Sequence, residues 1–448
     1  MYSVERVPIP DDAGRILKKN IRGTIYVYYV YDRKYLPEKK YNLYKSTTIG
    51  KVCEDDPNMM YPNPNYRKFY PEKKKSNLIY ADNAATTKLD QDAFEAMVPY
   101  LTDEFGNASQ PYAFGVRARK ALDEARGVIA ECIHAKPEEI FFSSGGTESD
   151  NWALKGIALN DYDERAIITS NIEHHAVLNA CKAIEMLEHP VAYVYADEKG
   201  IVTARELKKI ITDRTLMVSV MFANNEIGSI QPIEDLAKIA HENGAIFHTD
   251  AVQAVGHVPI DVEKMDIDML SASGHKFNGP KGIGFLYVKD GIDLKPWNHG
   301  GGQEKGRRAG TENVASIVGM ATALKKNCDQ IKKNSSYLLK LEDELLRILQ
   351  SEGLDFIRNG AKKHIPGNIS LSFAWSDGEM LLHRLDLMGI CVSTGSACDS
   401  KNTQVSHVLE AIKVPEKYRT GTIRVSLSKD NTSEDVQKIA QALKKILG

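Results

Sequence analysis

A chain of 448 residues with 42% hydrophobic and 26% charged residues and a formal net charge of −2 has the composition of an ordinary globular protein of more than one domain. That balance gives no whole-chain attraction to nucleic acid, and no apolar run approaches the roughly 20 residues that span a bilayer, so no membrane partner is expected. Six cysteines without a C-x-x-C pair exclude a disulfide framework and give little support to zinc or iron–sulfur ligation, so no metal site is expected.

The first residues, MYSVERVPIPDDAGR, have neither an apolar signal core nor the acid-poor character of a transit peptide, and the expected location is cytoplasmic. Residues 1–78 hold 16 Lys and Arg against 9 Asp and Glu, together with 11 of the chain's 20 tyrosines. This shift places a module border near Asn77 and makes residues 1–77 a basic, Tyr-rich extension. Within it, GTIYVYYVYDRKYLPEKKYNLYKSTTIGKV carries β-branched and aromatic runs on either side of a polar stretch, which predicts a small antiparallel hairpin. CEDDPNMMYPNPNYRKFYPEKKK, rich in Pro, Asn and charge, reads as an extended linker. Basic residues interleaved with tyrosines can contact nucleic acid. One small basic hairpin is weak support for that partner, and a strand pair packing its tyrosines on the main body is the preferred reading.

From Leu78 the pattern changes. LIYADNAATT is a short strand followed by small residues, and residues 90–135 show helical periodicity interrupted at Pro111 and Gly115. Strand-then-helix units follow at IFFSSGGTESDNWALKGIAL, where the helix opens at Thr147 or Glu148, and at AIITSNIEHHAVLNACKAI. Two more come at LMVSVMFANNEIGSIQPIEDLAKIAHENG and AIFHTDAVQAVG, and MDIDMLSASGHKFNGPKGIGFLYV reads as strand, turn, strand. The alternation predicts an α/β domain over residues 78–326, a mainly parallel sheet flanked by helices. From about Asn327 a long amphipathic helix (Ile331, Leu338, Leu341, Leu345, Leu349) leads into the short strands NISLSF, ICVST and TIRVSL. A last helix opens at Thr432 or Ser433, so residues 327–448 are expected to form a smaller α+β domain.

In an open parallel sheet, ligands bind beyond the carboxyl ends of the strands. Polar residues of unusual type follow each apolar strand run here. After IFF come Ser143, Ser144, Gly145, Gly146 and Thr147, and after AIITS come Glu173, His174 and His175. Asn224, Asn225 and Glu226 follow MFA, Asp250 and then Gln253 follow AIFHT, and Ser273, His275 and Lys276 follow MLSA. Each residue has a use around a phosphorylated pyridine aldehyde. Lys276, at the exit of a buried strand, suits a Schiff-base amine, because desolvation disfavours its charged form. Gly145, Gly146 and Thr147 open a helix whose free N–H groups hold a phosphate, with Ser273 and His275 adding hydrogen bonds. Asp250 suits a cationic ring nitrogen, His174 a stacking position and Gln253 a phenolic oxygen. Singly, each has a plainer explanation: a turn-capping lysine, a helix-capping aspartate, a core histidine, a glycine turn. Five such sites at five strand ends are much harder to explain that way.

Residues 393–404 contain almost no apolar side chains, so Cys398 is expected on an exposed loop. A mobile, accessible thiol is what a sulfur carrier needs to meet a substrate and then a second protein. Arg424 in TIRVSL is a candidate clamp on a substrate carboxylate, with an ordinary buried ion pair as the alternative.

Taken in order, YADNAATT, SGGTESDN, EHHAV, NNEIG, TDAVQ, SGHKFNGPKG, GGGQEKGRRAGTEN, TGSAC and TIRVSL resemble the signature blocks of the NifS-like cysteine desulfurases. These are pyridoxal-phosphate enzymes of fold type I in the class V aminotransferase group. The resemblance runs from about Leu78 to the C-terminus. It implies that Lys276 carries the cofactor, that His174 stacks on it and assists proton transfer, and that Asp250 and Gln253 contact its ring nitrogen and phenolic oxygen. It further implies that Asn225 holds substrate and cofactor oxygens and that Arg424 binds the carboxylate of L-cysteine. Gly146, Thr147, Ser273 and His275 would bind the phosphate, joined by Thr311 from the second subunit of a homodimer. Cys398 would attack the substrate sulfur, leaving alanine and an enzyme persulfide. The spacing around Cys398 resembles the long-loop subgroup, which passes persulfide directly to a scaffold or carrier protein for iron–sulfur cluster, thio-cofactor or thio-nucleoside synthesis. Two features depart from the family pattern: Asp399, an anion that opposes thiolate formation beside it, and residues 1–77, which have no counterpart. Selenocysteine lyase or another class V reaction is the alternative, against which the polar Cys398 loop argues. A desulfurase recruited to nucleic acid by its extension is a further one.

Overall fold

The structure, a computed structural model, describes residues 6–11, 15–36, 41–70, 78–394 and 405–448. The chain divides into two compact units, Met1–Asn77 and Leu78–Gly448.

The first unit is an antiparallel sheet of five strands, β1 (Val7–Pro8), β2 (Ile16–Ile21), β3 (Thr24–Leu36), β4 (Tyr41–Val52) and β5 (Met59–Pro62), in the order β1-β5-β4-β3-β2. Strands β2 and β3 join through Arg22 and Gly23, both at positive φ, the two-residue turn whose twist matches the flanking strands. The β3–β4 pair is the expected hairpin. The extended-linker reading is corrected between residues 53 and 70: β5 pairs with both β4 and β1, and helix α1 (Tyr66–Phe69) follows. Met60 and Pro62 alternate inward along β5, a period too short to stand out among the surrounding Pro and Asn. Val27, Tyr29, Ile49, Val52 and Met60 form the small core, and the Tyr29 ring stacks on Phe69 at 4.3 Å.

The second unit opens with β6 (Ile79–Tyr80) and two helices, α2 (Gln91–Thr102) and α3 (Ala113–Ile133). The break falls at Pro111 as expected, but Gly115 lies inside α3, where a Cβ would come 2.6 Å from the carbonyl oxygens of Asn107 and Gln110. Six strands of the central sheet run in one direction: β7 (Ile140–Ser143), β8 (Ala166–Ser170), β9 (Val191–Val194), β10 (Thr215–Ser219), β11 (Ile246–Asp250) and β12 (Met269–Ser273). Strand β13 (Gly284–Val288) lies antiparallel between β7 and β12, and the order is β7-β13-β12-β11-β10-β8-β9. The crossing helices are α4 (Gly146–Ala158), α5 (His175–Glu185), α6 (Ala204–Lys208) and α7 (Ile233–Glu242). Alternate side chains face opposite cores. Phe142, Ile168, Val218 and Phe247 pack towards α3 and α7, while Phe141, Ile167, Met217 and Met269 pack towards α4 and α5. This two-faced burial is why the strands read as continuous apolar runs. After β11 the expected helix is instead a run of turns: Gly256 takes φ +77° and Pro259 follows, which stops a helix after one turn.

Helix α8 (Val314–Ser351) starts well before Asn327, because the Asn313 side chain caps it by accepting from Ser316 N–H. Ile317, Met320 and Leu324 belong to the main core, whereas Leu338, Leu341, Leu345 and Leu349 belong to a second one. That second core is built on a three-stranded antiparallel sheet of β14 (Phe356–Arg358), β15 (Asn368–Phe373) and the later β17 (Thr422–Ser426). Between them come α9 (Gly378–Asp386), β16 (Ile390–Cys391), α10 (His407–Ala411) and α11 (Glu416–Arg419), and α12 (Ser433–Leu447) closes the chain behind a capping box of Thr432 and Asp435. β6 pairs in parallel with β16, and Ile79 and Ala81 sit in the second core, so residues 78–81 pack with the C-terminal part of the unit. Among the described residues no helix is long and apolar enough to cross a membrane.

Candidate active site

The carboxyl ends of β7, β8, β10, β11 and β12 lie at one edge of the sheet and open into a cavity of about 550 Å³. Gly145, Gly146 and Thr147 line one side of it, Ser273, His275 and Lys276 another, and His174, Asn225, Asp250, Gln253 and Arg424 complete the wall. Thr311 is exposed and is not in that wall. Cys398 and Asp399 lie outside the described residues.

Lys276 ends a short turn after β12. Its Nζ donates to the carbonyl oxygens of Ala84 and Ala85 at 2.6 and 2.9 Å. Gln253 Nε2 donates to the Ala84 carbonyl as well, at 3.0 Å. The small residues after β6 thus bring main chain, not side chain, against the lysine. Asp250 ends β11 and is 5% exposed, with Oδ1 accepting from Val252 N–H at 2.9 Å. Burial pushes its carboxyl up from the ordinary range, while His174 and Lys276 hold it down. His174 caps α5, its Nδ1 accepting from Ala176 N–H at 3.2 Å, and burial lowers its pKa. Burial and the neighbouring Lys276 push His275 down to about 4, and its Nδ1 lies 3.0 Å from Thr86 Oγ1.

Helix α4 begins at Gly146, and its first residues, Gly146 and Thr147, line the cavity. Gly145 takes φ +149°, and a Cβ on Gly146 would come 2.5 Å from Val252 Cγ2, so only glycine lets the main chain come this close. Glu148, in the first turn, also lines the cavity; it accepts from Arg308 Nε at 2.8 Å and from Ser144 N–H. Arg424 on β17 is 4% exposed. Its Nη2 donates to Asp82 Oδ1 and its Nη1 to the Asn225 carbonyl, both at 2.8 Å, and its Nε is buried without a partner. The ion pair and the place in the cavity wall therefore coexist.

Several residues here gave no signal in the sequence. Asp82 and the Ala84–Ala85 carbonyls belong to a stretch read as small residues only. Asp150, one turn into α4, is 1% exposed, lines the cavity, and has an Oδ1 with no hydrogen-bond partner, 3.8 Å from His248 Nε2. Burial, then the charge of Asp250, raises its carboxyl well above the usual range. His248 bridges Ser219 Oγ at 2.8 Å and Ser271 Oγ at 3.0 Å, and burial pushes it down to about 3. Glu173, by contrast, was marked in the sequence as a polar residue at a strand end; it accepts from Ser170 Oγ and Met221 N–H, leaves Oε2 unpartnered, and is pushed up by burial to about 8. The segments flanking residues 395–404 are tied to this edge: Ser393 N–H donates to the Arg424 carbonyl at 3.1 Å, and Ser406 Oγ donates to Glu226 Oε2 at 2.6 Å.

The donor set fits pyridoxal phosphate: a glycine-led helix start with Thr147, Ser273 and His275 for the phosphate, a buried acid for the ring nitrogen, and an amine between them. A parallel sheet covered on both faces, with this set at its carboxyl edge, defines a fold-type I pyridoxal-phosphate enzyme.

The family described as Aminotransferase class-V matches residues 79–439. The cysteine desulfurase IscS of Methanosarcina thermophila is 46% identical over 374 residues, which cover 83% of this chain and 93% of that protein. Among solved structures, a NifS-like protein superposes with a TM-score of 0.78 at 37% identity, covering 83% of this chain and 99% of that one. A structure of SspA in complex with cysteine superposes with a TM-score of 0.71 at 36% identity, over 79% of this chain and 100% of that one. The chain belongs to the class V aminotransferase family and, within it, to the pyridoxal-phosphate-dependent cysteine desulfurases.

Proposed function

We propose that this cysteine desulfurase converts L-cysteine to L-alanine in the cavity at the sheet edge and leaves the sulfur as a persulfide on Cys398, for transfer to an acceptor protein. Residues 78–326 serve as the cofactor-binding part and residues 327–448 as the part that carries the thiol. Pyridoxal phosphate, when bound, draws electrons from the substrate α-carbon. The α4 N-terminus, Thr147, Ser273 and His275 hold its phosphate, and Asp250 and Gln253 fix its ring nitrogen and phenolic oxygen. Arg424, steadied by Asp82, orients the substrate carboxylate, and Asn225 holds the oxygens beside it. Lys276 carries the cofactor and returns a proton at its Nζ. His174 stacks over the ring and, with a lowered pKa, is neutral and free to take a proton at neutral pH. The carrying observation is Lys276 Nζ, set by two carbonyls into the cavity that Asp250 and His174 share.

A homodimer completes the site, with the partner supplying Thr311 to the phosphate. Phe94, Val98, Leu101, Phe105, Tyr112 and Val116 on α2, α3 and the turn between them are exposed, and such a grouping of large apolar side chains favours burial against a second copy. The sulfur leaves for iron–sulfur cluster, thio-cofactor or thio-nucleoside synthesis. Replacing Cys398 with Ser tests the reading: the cofactor absorbance stays and alanine release from cysteine stops. Undiminished alanine release would overturn it.

A further inference from the structure

The turn that carries Lys276 is held by its main chain from distant parts of the sequence. The His275 carbonyl accepts from Thr87 N–H at 3.0 Å and Thr87 Oγ1 at 2.8 Å, and the Lys276 carbonyl accepts from His257 Nε2 at 2.9 Å. The Phe277 carbonyl accepts from Asn327 Nδ2 at 2.7 Å and the Asn278 carbonyl from Asp90 N–H at 2.9 Å. A surface turn leaves such groups to water. Of the three side chains that reach these carbonyls, Thr87 is backed by its own N–H, and Asn327, which is buried, also binds the Ala323 carbonyl inside α8. His257 reaches the lysine itself. It comes from the run of turns after β11, the segment that already supplies Asp250 and Gln253 to the cavity. Gly256 makes that approach possible: it takes φ +77°, and a Cβ there would come 2.9 Å from Phe277 Cβ. Burial lowers the His257 pKa, so the ring is neutral at neutral pH, and because a carbonyl only accepts, its proton sits on Nε2.

A lysine side chain turns about several torsions, so its Nζ is placed only as firmly as the main chain that carries it. Resting on the reading of the cavity as a pyridoxal-phosphate site, we propose that His257 is a positioning residue for Lys276: its Nε2–H fixes the Lys276 carbonyl, and with it the point at which Nζ meets the group that Asp250 and Gln253 hold. The stretch 250–257 then sets the ring nitrogen, the phenolic oxygen and the amine against one another. An amine that moves a proton loses rate steeply when displaced, because it must come within hydrogen-bond reach of the reacting atom. His257 is not in the cavity wall. It lines a crevice of about 60 Å³ that shares Ala84 and Gln253 with the cavity and has room for a few water molecules. Loss of the imidazole therefore opens the Lys276 carbonyl to water, and the turn loosens while the fold survives.

The experiment compares the full-length wild type with His257→Leu, which has no donor, and His257→Gln, whose amide nitrogen stands where Nε2 does. In His257→Leu, kcat for alanine release should fall about 10-fold with KM for cysteine within about twofold, because the amine is displaced while Arg424 and Asn225 still hold the substrate. The cofactor-free variant should also take up added pyridoxal phosphate about 10-fold more slowly, followed by absorbance, a readout that needs no turnover. His257→Gln should return both rates to within about threefold of wild type. Rescue by the amide and not by a leucine of similar bulk separates the hydrogen bond from packing. His257→Leu with kcat and cofactor uptake both within about twofold of wild type overturns the proposal, as does a loss that His257→Gln shares in full. If His257→Leu does not fold, His257→Asn decides in its place, since its amide stops short of the carbonyl and should show the same losses. A wild type that takes up no pyridoxal phosphate would overturn the reading of the cavity itself, an outcome distinct from the failure of His257 alone.

Discussion

The sheet of residues 6–70 and the unit of residues 78–448 treat polar side chains in opposite ways. In the small sheet the polar groups stand around a core of Val27, Tyr29, Ile49, Val52 and Met60. Its charges pair at the surface, as Arg6 does with Asp55, or rest over aromatic rings, as Lys19 does over Tyr28 at 4.9 Å. Among the described residues, every buried side-chain polar atom without a partner belongs to the larger unit, and Asp150, Glu173 and Arg424 account for three of them at one strand-end edge. Each such atom costs about 1–3 kcal/mol if nothing ever satisfies it. A fold keeps several of them together only where a ligand or a shared proton pays that cost. The gathering of such atoms at the strand ends therefore marks the site, a mark that the small sheet does not show among its described residues.

The sharpest way to break this contrast is to remove its central amine. Lys276→Ala should lower the rate of alanine release from cysteine by at least about 10³-fold, because the proton-moving group and the cofactor's covalent tether go together. The protein should still fold, since the bonds lost to the Ala84 and Ala85 carbonyls lie at the cavity wall, where water can replace the amine. Asp250→Asn comes next, with a fall of about 10²-fold, because a neutral amide cannot hold a proton on the cofactor ring nitrogen. Steady-state alanine production measures both, and an Asp250→Asn enzyme within threefold of wild type would remove Asp250 from that role.

The parts of this site that could be read in advance are those where a side chain does the work at a strand end. Asp250 after AIFHT, His174 after a strand and Gly145–Thr147 at a helix start stand out because their residue types are unexpected beside apolar runs. Main-chain contributions carry no such mark, so the Ala84 and Ala85 carbonyls were invisible among small residues. Asp150 was hidden for another reason: an acid in the first turns of a helix suits the helix dipole and looks ordinary. The fold shows the same division. Buried strands announce themselves by composition, but β5 is four residues among prolines, and in the first turns of α8 the apolar Val314, Ile317, Met320 and Leu324 are interspersed with Ala, Ser and Gly that are buried too, which blurs the stripe.

Two carboxyls beneath the site sharpen the comparison at lower cost to activity. The folded Glu173 carboxyl, pushed up to about 8, binds its proton more tightly than the unfolded one, whose pKa is about 4.3. The stability it confers is complete below about pH 4 and is lost as pH rises towards about 8, a change on the order of 3–5 kcal/mol. Glu173→Gln cannot titrate, so its melting temperature should gain on that of wild type between pH 5 and 8 and hold level above. A constant difference across that range would mean that Glu173 is ionised throughout.

Asp150→Asn is the smallest change and separates the roles of two acids that line the same cavity. Burial and the charge of Asp250 raise the Asp150 carboxyl well above its ordinary range, which favours the protonated form, a neutral group of the amide's shape. The substitution should leave turnover within about threefold and stability within about 1 kcal/mol, far from the effect of the same change at Asp250. If the two variants instead lose activity equally, Asp150 and Asp250 hold one proton between them. The pH dependence of turnover in each variant would then show the shared group titrating as a pair.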